Sequence, residues 1–264
     1  MTDLKLFDAE VTVGRLPGRT DNPVPDPSAL LREMDYFGID SALFATTVAA
    51  FGPEGVIEAN RQTERGARAS SRLVPCWTLA LSPYRRGEQL NSQVDQMLSR
   101  GFRCARLAPE AGPAANPARL KLWALEETLG ALAAHRVPLL VPVEHIPAGD
   151  PALAYDFDDV DAVCARFPEL PVVLLRPRYN SISAVIALMR RHRRLHTTLT
   201  LWSLFGGIES LVEIAGAERL LYGSNLPHVD PGPAIGAVAY CGLPEDKRRL
   251  IAGGNLAGLI GGVR

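Results

Sequence analysis

Several apolar runs along this chain end in, or just before, side chains that can do chemistry. Glu10 and Thr12 lie in the first run, Arg106 ends the fourth, and Glu144 and His145 follow the fifth. Arg176 ends the sixth with Arg178 just beyond, Trp202 ends the seventh, and Asn225 and His228 follow the eighth. A glutamate such as Glu10 or Glu144 can take a proton from water. Arginines meet carboxylates in planar, paired contacts and hold developing negative charge. Together with Asn225, His228, Thr12 and Trp202, they suit a small molecule that bears a carboxylate.

Other chemistries find no support in the spacing. Cys76, Cys104, Cys164 and Cys241 show no CxxC pattern, so neither a disulfide framework nor a cysteine zinc site is expected. Ser203 and Ser224 have no histidine and carboxylate at a recognisable motif spacing. The Gly-Gly pairs at 206–207, 253–254 and 261–262 mark helix boundaries, and none opens a phosphate-binding fingerprint. Arg190-Arg191-His192-Arg193-Arg194 is short and has no interleaved aromatics, so it reads as a solvated face. His135, His192 and His196 lie on expected helices or beside that Arg-rich turn and read as surface residues.

The elements that must position these groups follow from periodicity. Strands are expected at Leu4–Val13, Asp40–Thr46, Leu73–Leu79, Phe102–Leu107, Pro138–Val143, Pro171–Arg176, Thr197–Trp202 and Arg219–Ser224. Several are apolar without alternation, as strands buried on both faces of a parallel sheet are. Helical spacing marks Pro27–Phe37, Glu54–Ser70, Glu88–Arg100 and Pro117–His135 in the first half. In the second half it marks Phe157–Arg166, Ser181–Arg193, Gly207–Ala215 and Pro231–Cys241. Gly38, Gly101 and Gly216 sit where a left-handed residue closes a last turn. Two Pro/Gly/Ala-rich stretches, Pro109–Ala118 and Ile146–Leu153, follow strands, and the tail from Glu245 to Gly261 reads as two short helices split by Gly253-Gly254-Asn255. Eight strand–helix units predict an α/β fold, a (β/α)8 TIM barrel, as a single domain over residues 1–264, with its site at the C-terminal ends of the strands.

Composition sets bounds on partners. The formal net charge is −1, which offers no field for nucleic acid or an anionic membrane. No basic and apolar leader opens the chain, and no apolar run reaches the ~18 residues that span a bilayer. The expectation is a cytoplasmic protein with a small-molecule substrate or ligand, no nucleic-acid partner and no membrane partner. Many barrels associate, so a homodimer fits, although no segment advertises an interface.

Two segments carry a resemblance. One is Leu6-Phe7-Asp8-Ala9-Glu10-Val11-Thr12-Val13-Gly14. The other is Gly223-Ser224-Asn225-Leu226-Pro227-His228 after an apolar strand, followed by Pro231, Pro233, Ala234 and then Gly254-Asn255. They resemble the first and last strands of the amidohydrolase-related family of metal-dependent hydrolases and decarboxylases. That family's first strand reads roughly Asp-Ala-His-x-His and its last Gly-Ser-Asp-x-Pro-His. The resemblance implies a TIM barrel and, in most members, a divalent cation held by histidines after strands one, five and six and by an aspartate after strand eight. Here the matching positions hold Glu10 and Thr12, Pro142 (with Glu144 and His145 just beyond), Arg176 and Asn225.

A guanidinium has no lone pair to give and repels a cation, and neutral oxygens such as those of Thr12 and Asn225 are poor ligands. The sequence therefore predicts no metal and no cofactor, with Arg176 paired to Glu10 as an internal cation. Some relatives in this family work without metal, notably lactonases using arginine, histidine and carboxylate groups. By that resemblance Glu10 or Glu144 would activate water, Arg176 and Arg106 would stabilise the oxyanion, and Asn225 would complete the catalytic set. Arg178, Trp202, His228 and Thr12 would bind substrate, a small anionic lactone or cyclic amide. The alternative is a catalytically inactive barrel that binds a ligand or a partner protein, with Glu10–Arg176 as a structural plug. A metal centre rearranged onto Glu10, Glu144 and His145 ranks behind both.

Overall fold

A computed structural model describes residues 4–14, 24–47, 53–79, 92–107, 120–143, 156–202 and 204–264. Within them, short apolar runs form β1 (Phe7–Val13), β2 (Ser41–Thr46), β3 (Leu73–Pro75), β4 (Trp77–Thr78) and β5 (Ala105–Arg106). They continue as β6 (Leu139–Pro142), β7 (Val172–Leu175), β8 (Leu195–Thr198) and β9 (Leu220–Leu221). Every pairing between them is parallel. β3 and β4 are halves of one barrel strand broken at Cys76, the first pairing with β2 and the second with β5. The ring closes where β1 meets the segment after β9, through a parallel bridge between Val11 and Leu226 and a bond from Ala9 N–H to the Tyr222 carbonyl. The result is the (β/α)8 barrel that the alternation predicts.

The intervening helices are α1 (Pro27–Phe37), α2 (Pro53–Ala67), α3 (Ser92–Ser99), α4 (Leu122–Ala134), α5 (Phe157–Arg166), α6 (Ile182–Arg191), α7 (Gly207–Ala215) and α8 (Pro231–Tyr240). Their starts follow capping chemistry. Asp26 accepts from Ala29 N–H ahead of Pro27, and Asp156 accepts from Asp158 N–H. Gly38, at φ 70°, closes α1 as expected.

Two apolar cores result from the strand period of two. In β7, Val172 and Leu174 join the larger core shared with the helices, whereas Val173 and Leu175 join a smaller one. The smaller core also holds Ala9, Leu43, Cys104, Leu140 and Leu221, which places it inside the barrel. Leu256 of α10 (Asn255–Gly261) joins it and plugs the N-terminal end of the strands. The chain approaches closely there: a Cβ on Gly253 would stand 2.8 Å from the Lys5 carbonyl oxygen.

Three sequence expectations change. The seventh strand is Leu195–Thr198 rather than Thr197–Trp202, because Leu195, His196 and Thr197 pair with Val172, Val173 and Leu174. His196 is consequently buried on a strand, and the His192 ring is tucked against Asp161 at 2.6 Å, so neither is a surface residue. The tail is not split at Gly253-Gly254. α9 (Glu245–Arg249) runs through a π-helical turn, Leu250–Gly254, into α10. Pro109–Ala118, Ile146–Leu153, Glu144, His145 and Ser203 lie outside the described residues.

Candidate active site at the strand ends

Glu10 owes its position to an irregularity in β1. Phe7 and Asp8 pair with Ser41 and Ala42, but the next partner of Phe44 is Val11, so β1 carries one extra residue at Ala9–Glu10. The cause is Asp8. Its Oδ1 accepts the Glu10 N–H at 3.0 Å, taking that amide off the ladder, and also the Ser224 N–H at 2.9 Å. One buried carboxyl thereby bulges β1, re-aims Glu10 and ties β1 to the exit of β9. Burial pushes the Asp8 carboxyl up to about 7, against the lowering effect of the hydrogen bonds it accepts.

Arg176 and Asn225 follow β7 and β9, and each has a backbone φ of 58°. Positive φ is uncommon for a side chain with a Cβ, costs of order 1–3 kcal/mol, and collects at functional sites. The turn at Arg176 is fixed by its N–H, which donates to Thr198 Oγ1 at 3.1 Å. The turn at Asn225 is fixed by its carbonyl, which accepts the His228 N–H at 2.8 Å. Both turns deliver their side chains to one place. Arg176 Nη1 donates to Glu10 Oε1 and, at 3.1 Å, to Asn225 Oδ1. The Thr200 hydroxyl lies 3.4 Å from Glu10 Oε2 and 3.2 Å from Thr198 Oγ1. Glu10 and Arg176 are 5% and 7% exposed, so a low-dielectric surround strengthens their attraction. Two donors at the exits of β9 and β1, Asn225 Nδ2 and Thr12 Oγ1, are buried with no hydrogen-bond partner among the described residues.

The remaining predicted residues distribute differently. Arg106 is also buried at the strand ends, where its Nε donates to Thr78 Oγ1 at 3.0 Å and its Nη2 to the Thr46 carbonyl at 3.4 Å. It thus braces the β2 and β4 exits, while the Glu10 cluster joins those of β1, β7 and β9. Trp202 is buried in the larger apolar core against Gly207. Trp77 is buried too, edge-on to Phe102 with ring centroids 5.0 Å apart. Arg178 and His228 are half-buried, and the Arg178 backbone exchanges two hydrogen bonds with the Ser181 hydroxyl. Glu144 lies outside the described residues. Sequence reasoning missed Asp8, Thr198 and Thr200 as positioning residues. The available signal was the threonine-rich run Thr197-Thr198-Leu199-Thr200 at the end of the seventh strand.

These residues do not make a site for a divalent cation. The donor set needs several carboxylates or imidazoles on one polyhedron. Glu10 is the one such ligand among Glu10, Thr12, Arg176 and Asn225, and it is engaged by a guanidinium that carries the positive charge itself. Among the described residues no group of three or more histidine, cysteine, aspartate or glutamate side chains could hold a metal. No helix among them is long and apolar enough to cross a membrane.

Comparisons with known proteins place the fold. The structure is similar to an uncharacterized TIM-barrel protein from Bordetella bronchiseptica, with a TM-score of 0.73 at 17% identity over 98% of this chain and 99% of that one. It is similar to 5-carboxyvanillate decarboxylase from Sphingomonas paucimobilis, with a TM-score of 0.72 at 16% identity over 99% and 100% of the two chains. A third likeness is to dihydroxybenzoic acid decarboxylase from Polaromonas sp. JS666, solved with bound manganese and the inhibitor 2-nitroresorcinol. There the TM-score is 0.66 at 13% identity over 98% and 97%. No curated protein matches significantly. The sequence profile of one family, described as amidohydrolase, matches residues 23–259. With nearly its whole length matched, and with the barrel and its strand-end cluster in place, this chain belongs to the amidohydrolase family.

Proposed function

We propose that this chain is a metal-independent hydrolase that opens a small, carboxylate-bearing lactone or cyclic amide at the Glu10–Arg176–Asn225 cluster. The observation that carries the reading is Arg176 Nη1 donating to both Glu10 and Asn225 at the exits of β1, β7 and β9. A permanent cation in this reading takes the place that the resemblance assigns to the family's metal. In this reading water attacks the ring carbonyl, and Glu10 takes its proton and returns it to the leaving oxygen or nitrogen. Arg176 stabilises the oxyanion, Arg106 adds positive charge to the same face from the β2 and β4 exits, and Asn225 Nδ2 and Thr12 Oγ1, without a partner among the described residues, supply donors to the substrate.

A second reading is favoured by one specific feature. Glu10 and Arg176 are nearly wholly buried and engaged with each other, as a plug in a catalytically silent, ligand-binding barrel would be. A screen of lactones and cyclic amides with the wild type and Glu10→Gln separates the two. The hydrolase reading expects turnover that falls by about 10²–10⁴-fold in the variant. Turnover insensitive to Glu10→Gln would place the chemistry elsewhere, and a screen without turnover favours the silent barrel. Elemental analysis of the active protein tests metal independence: stoichiometric zinc, manganese or iron would overturn it.

A further inference from the structure

The opposite end of the barrel carries a basic cavity that neither the reaction centre nor the family accounts for. The run Arg190–Arg194 reads in the sequence as a solvated face, but in the fold Arg190, Arg193 and Arg194 line a cavity of about 620 Å³ with Arg219 and His196. Among the described residues, Glu218 is the one acidic side chain lining it. The size is that of a small-molecule site.

The four guanidiniums are not equivalent. Arg219 is committed to structure: its Nε donates to the Ala215 carbonyl at 2.6 Å and its Nη1 to that of Met189 at 2.6 Å. It thereby satisfies carbonyls at the C-terminal ends of α7 and α6, where a cation is favoured. Arg194 reaches Glu169 at 3.5 Å, a carboxylate it shares with Arg136 at 3.7 Å. The Arg190 and Arg193 side chains, one in the last turn of α6 and one just past its end, make no hydrogen bond or ion pair with any described residue.

The second observation is His196. It lines the same cavity at 7% exposure, and both of its ring nitrogens are buried without a hydrogen-bond partner among the described residues. An orphaned buried polar group in a native structure calls for a reason, and an unseen ion or ligand is one of the few available.

We propose that this cavity binds a small phosphate-bearing anion, held by Arg190 and Arg193 at its rim over His196. The field at His196 gives the proposal a local readout. Burial, and then Arg219 and Arg194, hold the imidazole down at about 4, so it is neutral at pH 7. An anion in the cavity opposes the arginine field and moves that value up.

The test uses the full chain with pyrophosphate as the probe, followed by titration calorimetry and by the His196 ring resonances against pH. Saturable binding that weakens at least tenfold in Arg190→Gln/Arg193→Gln is expected, with an upward His196 shift that the double variant abolishes. Both residues are exposed, so the double variant should fold. Arg191→Gln is the control: Arg191 belongs to the same basic run but pairs with Asp161 at 3.2 Å, and it should bind as the wild type does. No binding, equal binding by the double variant, or an equal loss in Arg191→Gln would overturn the site.

Discussion

Replacing Arg176 by methionine should reveal how much of this barrel's stability depends on a single buried pair. The change keeps an unbranched, flexible side chain on the positive-φ backbone but removes the guanidinium that faces a carboxylate 5% exposed. Glu10 would then be a buried carboxylate that has lost its guanidinium, with the Thr200 hydroxyl still 3.4 Å away. Asn225 Oδ1 would lose its donor as well. Breaking one side of a buried pair costs roughly 3–5 kcal/mol, whereas replacing both members by apolar or neutral groups is often close to neutral. At ~2–4 °C per kcal/mol for a domain of this size, Arg176→Met should lower Tm by about 6–20 °C. Glu10→Gln should also destabilise, and the double variant should recover part of the loss, giving a coupling of about 2 kcal/mol or more. The assay is chemical denaturation of the four proteins of the cycle at constant pH, read by circular dichroism. Strictly additive single effects, or an Arg176→Met protein as stable as the wild type, would refute the pairing.

Asp8 predicts a pH dependence whose sign is fixed. Its folded pKa of about 7 lies above the ordinary 3.8, so the native state binds the extra proton, and the stability this confers is complete below about pH 4 and lost as pH rises through about 7. The span is on the order of 4 kcal/mol from the two pKa values, and Asp8→Asn should flatten the denaturation-versus-pH curve between them. A variant with unchanged slope would remove Asp8 as the cause. Thr198→Val deletes the acceptor for Arg176 N–H and should cost about 1–3 kcal/mol, with a larger loss in turnover than in substrate binding as the guanidinium drifts. An unaltered melt and unaltered kinetics would show that the turn is held by other means. Gly253→Ala places a Cβ 2.8 Å from the rigid Lys5 carbonyl and should destabilise by about 1–3 kcal/mol, checked by calorimetric Tm. Prolonged chelation should leave any lactone turnover and the Tm unchanged, whereas losses restored by one added metal would contradict the metal-independent reading.

What the sequence by itself determined is the alternation and its consequences. Short apolar runs, several without alternation, each followed by an amphipathic stretch and some closed by a glycine such as Gly38, are local patterns, and local patterns are enough to specify eight parallel strand–helix units. The same reading placed Glu10, Arg176 and Asn225 at strand exits, because a barrel puts all such exits on one face. Only the tertiary structure decided how they meet. Glu10 and Arg176 are 166 residues apart, and their contact depends on a bulge created by Asp8 and on two positive-φ turns held by Thr198 and by backbone bonds. His196 shows the converse: its arginine-rich neighbours suggested a surface, but pairing with β7 drew it onto a buried strand. Periodicity reports which face of an element is apolar. Pairing register and the convergence of distant strand ends arise from closing the sheet, and no local window of residues contains them.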